Sequence, residues 1–313
     1  MMLYNFAIRV HVVSLLLCLF FPSHLLADEP VSTECRPLET VDTDYKVQTK
    51  YAEGLLWEVH RPGTRPSYVF GTIHVSDPEI VNLPGKINDI LSHAGQFTME
   101  ALPEPNAIIQ LTQMMFFSDG RKLDEFIAPR LFDRTVEILA NYRMPIEAVM
   151  MMKPWAAFMV MNYPAGDGLP MDLKLLAMAQ QNGIEVNGLE SLLEQGKIFD
   201  EMAFDTQLKL LIDTVCHYDL VLEDIEQMKS MYIKRDLQGL YAISRRYSLS
   251  EEPMYQELIK KILTDRNVTM VERMQPILDK GNSFIAIGAL HLPGDDGVLS
   301  LLEQKGYAIK SIY

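Results

Sequence analysis

Two stretches of this chain repeat one pattern, Gly71-Thr72-Ile73-His74 and Gly288-Ala289-Leu290-His291. Each closes an apolar run, Tyr68-Val69-Phe70 in the first case and Ile285-Ala286-Ile287 in the second. Imidazole is a general base and a metal ligand near neutral pH. The preceding glycine permits close backbone approach or a positive φ. Both histidines fall just past the carboxyl end of an expected strand, where open α/β sheets bind ligands. If the two strands are neighbours, their ends lie ~4.8 Å apart. Two imidazoles bound to one metal at ~2.1 Å each bring their nitrogens to roughly 3 to 3.5 Å. Side-chain reach covers that difference, so His74 and His291 are candidate catalytic residues and metal ligands.

Four further groups are candidates for the same centre. Glu100 ends the expected strand after His74 and reads as a ligand carboxylate or a general base, or as an exposed strand-end residue. Arg266 and Asn267 open the helix leading to the second histidine strand. Arg266 is suited to clamp a substrate carboxylate or an oxyanion, or makes an ordinary surface salt bridge. Glu190, with Gln195 five residues on, reads as outer support orienting a ligating histidine, or as a carboxylate favoured by a helix N-terminus. Asp295 and Asp296 either reach the centre from the loop after His291 or only stabilise a turn. His60, His93 and His217 lack a comparable setting and read as surface or packing residues. The methionines at 150, 151, 152, 159 and 161 read as core filler. The sequence has no His-Glu-x-x-His, no Gly-x-Ser-x-Gly, no phosphate-binding glycine loop and no Cys-x-x-Cys.

The elements that must position these residues follow from periodicity and turn signals. Leu55 to Val59 and Ser67 to Gly71 read as a hairpin across the Pro62–Pro66 turn. Ile80 to Leu91 is helical, broken at Pro84-Gly85. Gln96 to Ala101 is a strand. Residues 106 to 263 are largely helical, with a short strand inside Gly183 to Gly188. Asp265 to Lys280 is an amphipathic helix with Val268, Val271, Met274 and Leu278 on its apolar side and Gly281 as its cap. Ser283 to Ile287 is a buried strand, Val298 to Gln304 a short helix, and Tyr307 to Ile312 a last strand. Strands at both ends with helices between them imply an α/β (α+β) fold with a mixed central sheet.

The chain has 313 residues, 48% of them apolar, which suits one large domain or two closely joined lobes. Residues 1–27 read as a signal peptide. Arg9 precedes the apolar run His11 to Phe21, which is shorter than the roughly 20 residues a span needs. Pro22 breaks the run, and Ala27 offers a cleavage site. The alternative is an uncleaved anchor. Residues 28–52 read as a flexible arm and residues 53–313 as the folded domain. Secretion or a periplasmic location follows, with no stable membrane span after cleavage. The formal charge of −14 disfavours nucleic acid as a partner. Export leaves Cys35 and Cys216, which either pair or stay free, since sequence does not supply their separation.

A resemblance adds to this reading. The segments Leu56-Trp57-Glu58-Val59, Phe70 to His74, Met99-Glu100, Lys153-Pro154-Trp155, Gly188-Leu189-Glu190 with Gln195, Arg266-Asn267 and Ile287 to Gly294 resemble, in order and content, the TraB/GumN family. Its Tiki members are described as metal-dependent proteases. The resemblance implies a divalent metal, manganese or cobalt with zinc left open, held by His74, Glu100 and His291, with Arg266 supporting catalysis. Asp172 receives no role, because the run Gly168-Leu169-Pro170-Met171-Asp172 departs from the family's usual glycine before that position. The leading expectation is an exported metal-dependent hydrolase, a peptidase acting on a peptide or small carbonyl substrate. The alternatives are a metal-free esterase-like hydrolase with His74 as base, as in the related erythromycin esterases, or a haem or small-ligand binding protein.

Overall fold

The computed structural model describes residues 35–37, 49–166, 168–243 and 252–313. The signal-peptide reading over residues 1–27 lies outside the described residues, as does most of the arm. The described residues belong to one compact unit, Ser32–Tyr313.

Its core is one mixed sheet. β1 (Leu56–His60) and β2 (Ser67–Thr72) form the expected hairpin, with Leu56 opposite Phe70 and Val59 opposite Ser67. β3 spans Gln96–Ala101, β4 Glu185–Glu190, β5 Ser283–Gly288 and β6 Ala308–Ser311. The strands lie in the order β4-β3-β5-β2-β1-β6. The four strands β4, β3, β5 and β2 run parallel, while β1 pairs antiparallel with β2 and β6. This is the mixed α/β sheet expected from strands at the two ends of the chain. β5 is central and reads Ser-Phe-Ile-Ala-Ile, with every one of those residues at most 1% exposed. A parallel strand covered on both faces has no polar side, which explains its continuous apolar run.

β4 begins and ends two residues later than the Gly183–Gly188 estimate. Pairing with β3 extends it until Glu190 stands opposite Ala101, so Glu190 ends the strand instead of following it. The helix Asp265–Lys280 buries Met270, Val271, Met274 and Leu278. Val268 faces away, 47% exposed. Gly281 stops this helix at φ 71°, and a β-carbon there would lie 2.5 Å from the Arg65 carbonyl oxygen, so both the turn and the close approach require glycine. Met152 and Met161 are fully buried, as core filler should be, but Met151 is 40% exposed and does not fill the core.

Cys35 and Cys216 are joined by a disulfide with 5.5 Å between their α-carbons. Arg36 beside it donates to Asp213 Oδ2 at 2.8 Å and Glu252 Oε1 at 2.9 Å. This part of the chain is thereby fixed to the helices Phe204–Cys216 and Pro253–Ile259.

Candidate functional site

β5 brings the two motifs together, because β2 lies along one of its edges and β3, carrying Glu100, along the other. The motifs are not aligned glycine to glycine. Gly71 stands opposite Ile287 and Thr72 opposite Gly288, an offset of one residue that gives the two glycines different work. A β-carbon on Gly71 would come 2.7 Å from Leu292 Cδ1 and 3.1 Å from the Ala289 α-carbon. A β-carbon on Gly288 would come 3.1 Å from Glu100 Oε1. Neither glycine is among those with positive φ. Close approach, not the left-handed conformation, is what the motif needs.

Glu100 is held on both oxygens. Oε1 accepts from the Gly288 N–H at 2.6 Å, and Oε2 accepts from Arg266 Nη2 at 2.6 Å. Arg266 also donates to Glu190 Oε2 through Nη2 at 2.7 Å and Nε at 3.0 Å, and through Nη1 to the Ile262 carbonyl at 3.1 Å. Gln195 donates to Glu190 at 3.2 Å and to Glu100 at 3.4 Å. Arg266 thus sits between two largely buried carboxylates. Glu190 and Gln195 orient this arginine and Glu100, not a histidine.

His291 closes a short 3-10 turn, Ala289–His291, directly after β5. Its Nδ1 lies 2.6 Å from Asn267 Oδ1. The Asn267 amide donates to the Asp296 carbonyl at 2.9 Å, so its oxygen faces the ring and His291 Nδ1 carries the proton. Nε2 then presents a lone pair, 3.6 Å from Glu100 Oε1. Asp296 contributes that carbonyl and accepts from Thr264 at 2.9 Å through its side chain. The side chains of Asp295 and Asp296 are exposed.

His74 has a different partner. Its Nδ1 lies 2.7 Å from Asp172 Oδ2, and Asp172 Oδ1 accepts from Thr72 Oγ1 at 2.6 Å. The Tyr163 ring stacks on the imidazole, with centroids 5.6 Å apart and planes at 26°. Asp172, left without a role on sequence grounds, therefore belongs to the site. It lies in the first turn of the helix Met171–Gln181, docked by the Met171 N–H on the Val75 carbonyl at 3.0 Å. Its partner is 98 residues away in sequence. A carboxylate opening a helix after Pro170 was the one local signal.

The two histidines differ electrostatically. Packing disfavours the charged form of His74, but Asp172, helped by Glu100, outweighs this and raises it to about 9. The ring keeps 43% of its side chain open to solvent, which softens that attraction. His291 is 5% exposed, and burial, with Arg266 and His74 adding to it, lowers it to about 4 despite Glu100. Burial also opposes ionisation of Glu100. His291 when protonated, Arg266, His74 and the Gly288 N–H overcome it and bring Glu100 down to about 2. At neutral pH the site holds a charged His74, a neutral His291 and an ionised Glu100. Among the described residues, no three or more His, Cys, Asp or Glu side chains form a group able to hold a metal ion as they stand.

Comparison with known proteins places the chain in a family. The chain is 23% identical to Metalloprotease TIKI2 of Danio rerio over 350 residues, covering 94% of this chain and 66% of that protein. It is 23% identical to Metalloprotease TIKI1 of Homo sapiens over 336 residues, covering 87% of this chain and 64% of that protein. It thus spans about two thirds of the length of these metalloproteases. Against the uncharacterized protein YbaP of Shigella flexneri it is 22% identical over 276 residues, covering 84% of this chain and 100% of that protein. No solved structure matches it. Residues 55–311, which include every site residue described above, match the TraB/PrgY/gumN family, and the chain belongs to that family.

Proposed function

We propose that this chain is a hydrolase, a peptidase in type, that attacks a carbonyl at the edge shared by β2, β5 and β3. One observation carries the reading. Two imidazoles from opposite ends of the chain each have Nδ1 fixed by a partner on another element, His74 by Asp172 and His291 by Asn267. Fixing Nδ1 in this way commits Nε2 to the reaction centre, as in the supported histidines of catalytic and metal sites.

The donor set suits a divalent cation. His291 Nε2 and Glu100 Oε1 are two acceptors facing each other at 3.6 Å, a contact that a cation or a proton must bridge. Glu100 and Glu190 share one guanidinium, Arg266, and a third carboxylate, Asp172, pairs with His74. With both histidines neutral, two negative charges remain, which a divalent ion would balance. His74 and His291 through Nε2, and Glu100 through its carboxylate, would hold it. Such an ion lowers the pKa of a bound water toward ~7 and polarises a carbonyl. Because ligating histidines must be neutral, binding competes with the proton on His74 and strengthens as pH rises.

Without a metal, the chain's own residues supply the acid and the base. Arg266 keeps Glu100 ionised and pointed at Gly288. Asn267 keeps the His291 lone pair toward Glu100, ready to take a proton from water. Asp172 keeps His74 protonated, ready to give a proton to the leaving group. Two titratable groups whose environments drive their pKa values apart are suited to opposite acid and base roles. This separation favours a second reading, metal-free hydrolysis, with the expected role of His74 corrected from base to acid, because Asp172 keeps it charged, and His291 left as the base. Export is supported by the Cys35–Cys216 bridge, since disulfides persist in oxidising compartments. Among the described residues, no helix is long and apolar enough to cross a membrane.

The test is a cleavage screen over peptides and esters with added Mn, Co or Zn, with His74→Ala as blank. Metal-stimulated, chelator-sensitive cleavage absent from the blank is expected. Cleavage that survives chelation supports the metal-free version. Equal activity in His74→Ala contradicts both.

A further inference from the structure

We propose that Tyr163 is the specificity wall of the site, its ring receiving an apolar or aromatic side chain that flanks the bond a peptide substrate offers for cleavage. This deepens the hydrolase reading and rests on it.

Three observations point there. Tyr163 is 46% exposed yet lies against a residue of the reaction centre, stacked on His74 at 5.6 Å. Its place is built, not incidental. The Tyr163 carbonyl accepts from the Tyr142 hydroxyl at 2.7 Å, and that hydroxyl also meets the Tyr218 hydroxyl at 3.1 Å, with Tyr218 only 6% exposed. The segment that follows contributes a second apolar group, Leu169, 51% exposed. It follows Gly168, where a β-carbon would come 2.7 Å from Ser76 Cβ, two residues beyond His74. The same stretch ends at Met171, which docks on the Val75 carbonyl, and Asp172, which holds His74. A substrate reaching the open edge of His74 therefore meets the aromatic surface of Tyr163 beside an otherwise charged centre. Apolar surface left wet next to a reacting group is what a substrate side chain covers, and aromatic faces favour stacked or edge-on aromatic partners.

A merely shielding role for Tyr163 gives different kinetics. A shield would affect every substrate alike. A wall discriminates through binding, by about tenfold or more for an apolar side chain against none. Matched peptides with Phe or Gly beside the scissile bond are compared on the wild type, Tyr163→Phe and Tyr163→Ala, with thermal unfolding as a fold control. The wild type and Tyr163→Phe should prefer the Phe peptide about tenfold. Tyr163→Ala should lose that preference, the KM of the Phe peptide rising toward that of the Gly peptide. A preference that survives Tyr163→Ala, or an equal loss on both peptides, overturns the proposal. Labelled forms of both peptides are also bound to the His74→Ala variant by fluorescence anisotropy, with and without Tyr163→Ala. If no peptide is cleaved by the wild type, the peptidase part of the hydrolase reading fails. A Phe preference in anisotropy that disappears with Tyr163→Ala still supports the wall, and no preference overturns it.

Discussion

The two Gly-x-x-His motifs end neighbouring strands, share a sheet edge and face one glutamate, yet they hold opposite histidines. His74 is paired with a carboxylate, open to solvent and raised to about 9. His291 is paired with a carboxamide, buried and lowered to about 4. The motif delivers an imidazole to the site; the partner on another element decides its proton. Asp172 and Asn267, which a search for the motif alone passes over, set the chemistry.

The comparison is broken most severely by removing the charge that both halves share. Arg266→Ala leaves Glu100 and Glu190 without the guanidinium that bonds both, the situation that makes breaking a buried pair cost about 3–5 kcal/mol. Denaturant unfolding should show a loss of that size, and a loss below about 1 kcal/mol would mean that water already relieves the pair. A subtler change makes His74 resemble its counterpart. Asp172→Asn removes the carboxylate that charges His74. Hydrolysis at neutral pH should fall, by up to about 10²–10⁴-fold, the range for positioned proton transfer. In chelator-treated protein, the His74 ring signals in NMR should titrate well below about 9. The reverse exchange, Asn267→Asp, should raise His291 from about 4 toward the ordinary histidine value, read from the same spectra, while leaving His74 within a few tenths of its position.

The smallest effect concerns stability. A group raised on folding stabilises fully below its unfolded pKa and loses that contribution as pH passes its folded value. His74 therefore supports the fold at pH 6 and ceases to do so between about 6.5 and about 9. The melting temperature of metal-free protein should decline slightly over that window, and Asp172→Asn should remove the decline. An unchanged slope in the variant would assign the decline to other groups.

What was legible in the sequence follows the range of the interactions. The strands of both motifs, and β3 under Glu100, were readable because apolar runs and turn residues are local signals. Arg266 and Asn267 were readable as a pair opening a helix, but their partners were not. Adjacent helical residues point about 100° apart, so one reaches Glu100 and Glu190 while the other reaches His291. Arg266 looked free to clamp a substrate only because nothing local reveals that β3 and β4 end in two carboxylates beside it. Asp172 was hidden for the same reason, since its partner is fixed by the docking of a helix against the end of β2. The cysteine pair was left open because a 5.5 Å separation across 181 residues is a property of the packed fold.

A double-variant cycle tests most directly whether His74 and His291 work as one centre. Hydrolysis rates are compared for the wild type, His74→Ala, His291→Ala and the double variant, with unfolding midpoints checked alongside. Groups that act as a unit are strongly non-additive, so the double variant should be about as impaired as the worse single variant. Losses that multiply would show two histidines acting independently, and would contradict a shared centre around Glu100.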